Sequence, residues 1–158
     1  FGNYRMAPKI IIFVCVSNTC RSPMCEYMLR EKLRTAGLSG EFKVASRSLT
    51  PDYEPEDSPA NEQGQLVMKN EYGIDTSSHR SRLLTLEDAN EAYIIIPVKR
   101  DLAGYISKRY PQTAAKIQLF STDISDPWRQ PYPVYEKCAQ LVDQMVTEIL
   151  EQLIKTIS

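Results

Sequence analysis

Cys15 and Arg21 are separated by five residues, at the point where a run of aliphatic residues gives way to a helical pattern. A cysteine thiolate is a strong nucleophile, and a planar guanidinium can bind two phosphate oxygens at once. The spacing alone is a weak signal. Its position between a strand and a helix, with Ser22 and Pro23 directly after it, gives it weight.

A tight loop between that strand and that helix would turn several backbone N–H groups inward, beside the amino end of the helix. Such an arrangement binds anions. The same positive environment favours the thiolate form of Cys15. A thiolate beneath a bound phosphate can attack phosphorus and form a phosphocysteine, so the stretch predicts phosphoryl-transfer chemistry.

A second candidate stretch, "SDPW", supplies an acid late in the chain. Transfer of a phosphoryl group needs a proton donor for the leaving oxygen, and Asp126 can supply it. Pro127 stiffens the turn, and Trp128 could form a wall for an aromatic substrate. We therefore interpret Asp126 as the general acid that accompanies Cys15 and Arg21.

The elements that would position these groups alternate between strand and helix. The sequence predicts four strands, at 9–16, 42–46, 93–98 and 116–121. It predicts helices at 22–37, 58–73, 85–92, 100–110 and 134–157. This order predicts βαβ units, a parallel sheet and helices on both faces. Ligands of such sheets bind outside the carboxyl ends of the strands, where Cys15 is expected.

Composition limits the classes of function. The chain has 158 residues and a net charge of -1, which argues against a general nucleic-acid binder. No apolar run is long enough to span a bilayer, and no signal core is present, so we expect a cytoplasmic protein without a membrane partner. The four cysteines, Cys15, Cys20, Cys25 and Cys138, lack the spacing of zinc sites, and no metal is expected.

Together, "VCVSNTCRSP", "DPW" and the order of elements resemble the low-molecular-weight protein tyrosine phosphatases. The resemblance implies an α/β domain over residues 7–158 with a four-stranded parallel sheet, and no metal or other cofactor. It implies phosphorylated protein substrates and a monomer or weak dimer. Cys15 would be the nucleophile and Arg21 the phosphate clamp. Asp126 would act first as acid and then as base to the hydrolytic water.

The resemblance also assigns roles to residues around these three. The phosphate-binding loop would be completed by Val16, Ser17, Asn18, Thr19, Cys20 and Ser22. Two further residues, Ser46 and His79, would support this loop. At the rim of the substrate pocket, Tyr53 would face Trp128. Ser17 stands where the family usually has glycine, and we expect it to carry backbone strain. Cys20 could trap Cys15 in a reversible disulfide under peroxide. Cys25 and Cys138 are expected in the core.

Three other functions stay open at this point. Family members that hydrolyse phosphoarginine tend to carry threonine between the loop's asparagine and its second cysteine, where Thr19 stands. Thiol-linked arsenate reduction needs resolving cysteines downstream, and residues 80–125 contain none. A phosphate-binding module without catalysis would have no need of Cys15, Arg21 and Asp126 together.

Residues 1–6 are expected to lie outside the domain, as an unstructured segment or a remnant added for expression. Met6 would then be the natural start.

Overall fold

The computed structural model describes residues 6–157. The expectation for residues 1–6 therefore falls almost wholly outside the described residues. These described residues contain three strands: β1 (Lys9–Cys15), β2 (Phe42–Ser48) and β3 (Ala92–Pro97). They form one parallel sheet in the order β2-β1-β3, with Ile12 of β1 opposite Ala45 of β2 and Ile95 of β3.

Strand β1 forms the centre of the sheet because its sequence is aliphatic without interruption. Ile11, Ile12, Phe13 and Val14 are all buried. Consecutive side chains of a strand point to opposite faces, so both faces of β1 are covered. On one face Phe13 stacks on Phe120, with ring centroids 6.0 Å apart. The predicted α/β fold with a parallel sheet is confirmed.

Helices connect and cover the strands: α1 (Arg21–Thr35), α2 (Glu62–Tyr72), α3 (Leu86–Glu91), α4 (Leu102–Arg109), a 3-10 turn (Pro111–Thr113) and α5 (Tyr132–Ile157). Helix α5 carries an apolar stripe that includes Val142, Met145 and Ile149, all buried, and it packs on α1 and α2. No helix in the described part of the chain is long and apolar enough to cross a membrane.

The helix ends follow the local chemistry of their residues. The Asn61 side chain caps α2 by accepting the Gly64 amide at 3.1 Å, and Gly73 ends it with a left-handed conformation at φ 65°. Thr85 and Asp88 form a reciprocal capping box at the start of α3. Helix α1 begins at Arg21, one residue before the predicted start, so Ser22 lies within its first turn.

The prediction of a fourth strand over 116–121 is wrong. This segment meets β3 only at Ile117, which pairs with Ile95 through two hydrogen bonds of 3.0 Å. The next bond of a parallel ladder on that side would require an N–H group at Pro97, and proline has none. The chain then leaves the sheet and returns at Ile124, whose amide donates to Val98 O.

Candidate active site

The loop between β1 and α1 forms the floor of a pocket at the carboxyl edge of the sheet. The pocket has a volume of about 310 Å³. It is lined by Cys15, Val16, Ser17, Thr19, Cys20, Arg21, Tyr53, Glu54, Asn61, Asp126, Trp128 and Tyr135. The structure therefore brings the predicted nucleophile, clamp and acid together with both predicted rim residues.

The sulfur of Cys15 accepts hydrogen bonds from the loop. The Asn18 amide donates to Cys15 Sγ at 3.2 Å, and Ser22 Oγ lies 3.0 Å from the same sulfur. Ser22 Oγ also accepts from Asn18 Nδ2 at 2.8 Å, so its own proton is free to point at the sulfur. Both groups can therefore donate a hydrogen bond to the Cys15 sulfur, and together they fix its position at the floor of the pocket.

Asn18 is the centre of the network beneath the floor. Its Nδ2 group donates to both Ser22 and Ser46, and its Oδ1 accepts the Arg82 amide at 3.0 Å. Its backbone is left-handed, with φ 59°, a conformation that asparagine adopts more readily than most residues. The side chain is fully buried, and these bonds hold the loop in one shape.

Ser46 and His79, both predicted to support the loop, contact it from behind. Ser46 accepts from Asn18 Nδ2 at 2.8 Å and donates to Glu26 Oε1 at 2.6 Å. His79 Nε2 donates to Asn18 O at 2.7 Å, which places the proton on that nitrogen. Burial lowers the pKa of His79 below its ordinary 6.5, and the bond to Asn18 O only partly opposes this.

Ser17 does not carry the strain expected from its replacement of glycine. Among the described residues, the left-handed non-glycine positions are Asn18, Asp57 and Arg129. Ser17 is not one of them, so a side chain is accommodated there without that backbone penalty. The expected strain is therefore wrong, and the left-handed turn falls one residue later, at Asn18.

Several amides at the floor are available to an anion. The N–H groups of Ser17, Thr19 and Cys20 have no acceptor among residues 6–157. The first N–H groups of α1 have no partner within the helix, and the helix dipole adds positive potential there. The loop therefore offers donors for phosphate oxygens, as its sequence predicted.

Arg21 joins the loop to the segment that carries the acid. Its guanidinium is buried and donates from Nη1 to Ile124 O at 3.0 Å. Its Nη2 lies 3.7 Å from Asp126 Oδ2. The Arg21 guanidinium is therefore held in place before any ligand binds, and its remaining N–H groups can donate to two phosphate oxygens.

Asp126 and the two aromatic residues stand at the mouth of the pocket. Asp126 Oδ1 accepts the Trp128 amide at 3.1 Å, which fixes the short turn, while about half of the Asp126 side chain (52%) remains exposed. Trp128 and Tyr53 are mostly exposed, and Arg129 lies over the Trp128 ring at 4.2 Å from its centroid. Both rings can contact a flat substrate that enters between them.

The second loop cysteine, Cys20, interacts with Cys138 of α5, and its expected reversible disulfide with Cys15 stays a prediction. A hydrogen bond to Cys138 of α5, together with burial, raises the pKa of the Cys20 thiol. Cys15, Cys20, Cys25 and Cys138 are all free thiols. Cys25 and Cys138 are buried in the core, as predicted.

Sequence reasoning missed four residues of the site. Glu26 accepts the Ser46 hydroxyl and pairs with Arg30 one turn later, and that four-residue spacing of opposite charges was visible in the sequence. Asn61, Glu54 and Tyr135 line the pocket from segments distant in sequence. No local pattern marks them, because the fold alone brings them to the loop.

Comparisons with known proteins agree with this geometry. Residues 10–158 match the family described as low molecular weight phosphotyrosine protein phosphatase. The chain is 30% identical over 153 residues to a protein-arginine-phosphatase of Geobacillus stearothermophilus, covering 92% of this chain and 97% of that one. It is 30% identical over 148 residues to the human low molecular weight phosphotyrosine protein phosphatase, covering 85% of this chain and 91% of the human one.

A solved structure shows the same fold. The crystal structure of a low molecular weight protein tyrosine phosphatase from T. tengcongensis is 31% identical in sequence and superposes with a TM-score of 0.84. The match covers 91% of this chain and 99% of that one, so the likeness extends over nearly the whole molecule.

Proposed function

The chain belongs to the low molecular weight phosphotyrosine protein phosphatase family and is a hydrolase, and we propose that it hydrolyses phosphotyrosine in proteins through a phosphocysteine on Cys15. The observation that carries this proposal is the position of Cys15. Its sulfur accepts from the loop at 3.0 and 3.2 Å, in the same pocket as Arg21 and Asp126.

In the first step the loop amides and the Arg21 fork bind the phosphate oxygens. The Cys15 thiolate attacks phosphorus, the S–P bond forms and the bond from phosphorus to the tyrosine oxygen breaks. Asp126, in its protonated form, gives its proton to that oxygen, so tyrosine leaves as a neutral phenol. Asp126 suits this role because it lines the pocket at the exposed side, where the leaving group would lie.

In the second step a water molecule replaces the phenol. The Asp126 carboxylate takes a proton from this water as its oxygen attacks phosphorus. The new P–O bond forms, the S–P bond breaks, and inorganic phosphate leaves. The Cys15 thiolate is restored, and the Ser22 hydroxyl and Asn18 amide stabilise its charge again.

Hydrolysis of phosphoarginine is the second candidate function. Thr19 lines the pocket, and its hydroxyl has no hydrogen bond within the described part of the chain. A relative that is 30% identical is named a protein-arginine-phosphatase. A free hydroxyl at the floor can bind a polar leaving group, whereas an aliphatic side chain there would suit a phenol.

The two candidates are separated by peptides that differ only in the phosphorylated residue. We expect kcat/KM for the phosphotyrosine peptide to exceed that for the phosphoarginine peptide by at least about tenfold. The reverse order would assign the enzyme to phosphoarginine. In that case Thr19→Ile should lower activity on phosphoarginine far more than on phosphotyrosine.

The covalent mechanism and the acid are tested by two substitutions. Cys15→Ser should abolish turnover, and retained activity would exclude the phosphocysteine. Asp126→Asn should lower kcat/KM, which reports only the steps up to formation of the phosphocysteine, by about 10²–10⁴-fold on phosphotyrosine. The loss should be much smaller on p-nitrophenyl phosphate, whose leaving group needs little protonation. Equal losses on both substrates would contradict the role of Asp126 as acid.

A further inference from the structure

Glu54 is a carboxylate of the pocket that the mechanism does not use. It lines the same cavity as Cys15, Arg21 and Asp126. It is half-buried, whereas its neighbours Tyr53 and Pro55 are exposed. Within residues 6–157, its side chain takes part in no hydrogen bond or ion pair.

A carboxylate without a cationic partner is unfavourable in a pocket that binds phosphate, because the two groups carry the same charge. A phosphate dianion on the loop would repel Glu54, as would the Cys15 thiolate. Within residues 6–157, no ion pair joins Glu54 to a cation that would offset this repulsion. Arg21 is held by Ile124 O and Asp126, and Arg129 stacks on Trp128. A neutral residue at position 54 would therefore bind a purely anionic substrate better.

This imbalance disappears if the substrate itself brings a positive charge next to its phosphoryl group. We propose that Glu54 is a specificity-determining residue, and that it selects substrates with a cationic group beside the phosphate. The inference rests on the proposed phosphatase function. Two sources supply such a cation: a lysine or arginine next to phosphotyrosine in the peptide, or the guanidinium of phosphoarginine itself.

The chain offers a matched control for the charge of Glu54. Asp52 lies in the same loop and carries the same charge, but it is exposed and does not line the pocket. Asp52→Asn removes one negative charge from the segment without altering the cavity. Any effect of Glu54→Gln that Asp52→Asn lacks therefore comes from the position of the carboxylate within the pocket.

The test uses phosphotyrosine peptides that differ only in the residue next to phosphotyrosine, which is lysine, norleucine or glutamate. We expect the unmodified enzyme to prefer the lysine peptide over the norleucine peptide by about three- to tenfold in kcat/KM. The preference should shrink at high salt because the mouth is open to solvent. Glu54→Gln should reduce the ratio of kcat/KM between the lysine and norleucine peptides to about one. Glu54→Lys should reverse the selectivity and favour the glutamate peptide. Asp52→Asn should leave the selectivity of the unmodified enzyme unchanged.

A phosphoarginine peptide forms the second arm. In one outcome, the residue next to phosphotyrosine has no effect, but Glu54→Gln lowers kcat/KM on the phosphoarginine peptide and Asp52→Asn does not. The cation that Glu54 selects is then the phosphorylated guanidinium, and the inference holds. Equal rates for the lysine and norleucine peptides, with phosphoarginine hydrolysis unaffected by Glu54→Gln, would overturn it while leaving the phosphatase function intact. Absence of turnover on every phosphorylated peptide would overturn both.

Discussion

At the floor of the pocket every polar atom of Asn18 has a protein partner, whereas at the rim Tyr53 and Trp128 leave 77% and 55% of their surface exposed. The floor is built from a half-buried loop, whose centre Asn18 is fully buried, and the first turn of α1. The rim comes from two surface loops, each fixed by few contacts. The two regions lie in one pocket of about 310 Å³ and differ mainly in how firmly they are held.

This difference indicates a division of tasks. In the proposed mechanism the floor must place a thiolate, a guanidinium and several amides around one phosphoryl group. A network that is satisfied before binding supplies such preorganisation. The rim must accept different peptides, and exposed side chains can change without disturbing the fold. We therefore expect changes at the floor to reduce kcat and stability together, and changes at the rim to act mainly on KM and on the choice of substrate.

The largest effect should follow from breaking the floor at Asn18. Asn18→Ala removes the hydrogen bonds from the Asn18 side chain to Ser22, Ser46 and the Arg82 amide, leaves that amide without an acceptor, and places alanine in a left-handed conformation. We expect the free energy of unfolding to fall by about 3 kcal/mol or more, and kcat to fall by about a hundredfold. Urea unfolding and steady-state kinetics measure the two effects.

Asn18→Gly separates the side chain from the backbone. Glycine tolerates the positive φ, so this variant should recover part of the stability but little of the kcat. If Asn18→Ala were as active as the unmodified enzyme, the network would not organise the floor.

A second prediction concerns the pH dependence of stability through His79. Burial lowers the pKa of His79 in the folded state, so below its ordinary value of 6.5 the unfolded chain binds a proton that the folded chain does not. This contribution to stability is fully present above about 6.5 and declines as the pH falls from there towards the lower folded pKa.

His79→Gln should remove this dependence while keeping a donor for Asn18 O. Urea unfolding between about pH 5 and pH 8 should therefore show a flatter profile for His79→Gln than for the unmodified enzyme. Identical profiles would mean that His79 titrates alike in both states, and hence that burial does not suppress its charge.

The smallest effect should come from the rim. Trp128→Ala removes one wall for the phosphotyrosine ring, and KM for a phosphotyrosine peptide should rise by about three- to tenfold. The free energy of unfolding should change by less than about 0.5 kcal/mol, because the ring is mostly exposed. Tyr105→Ala is the matched control, since Tyr105 is equally exposed but lies outside the pocket. A large loss of kcat with Trp128→Ala would erase the distinction between floor and rim.

The floor, the acid and the two aromatic residues of the rim were predictable from sequence, whereas three other residues that line the pocket were not. An aliphatic strand followed by Cys15, Arg21 and Ser-Pro is a local pattern, and its geometry follows from the turn between β1 and α1. Glu54, Asn61 and Tyr135 come from three separate segments. They meet Cys15 only through the packing of the whole chain, so no short pattern contains that information.

The failed fourth strand shows the same limit. The sequence "KIQLFS" has the composition of a strand, and Ile117 does pair with β3. Its extension depends on Pro97, about twenty positions earlier, which cannot donate the next hydrogen bond. Strand propensity is a property of the segment itself, whereas a hydrogen-bonded ladder also requires a neighbouring strand with free N–H and C=O groups.

The central claim is that Cys15 carries the phosphoryl group. Its most direct test is a rapid-quench reaction of the Asp126→Asn variant with p-nitrophenyl phosphate, whose leaving group needs little protonation, followed by mass spectrometry of the digested enzyme. Because this variant should hydrolyse the intermediate slowly, we predict one phosphoryl group on the peptide that contains Cys15, and none in a Cys15→Ser control. Phosphoryl transfer to another residue, or continued turnover with no phosphoenzyme and with Cys15 replaced, would contradict the account.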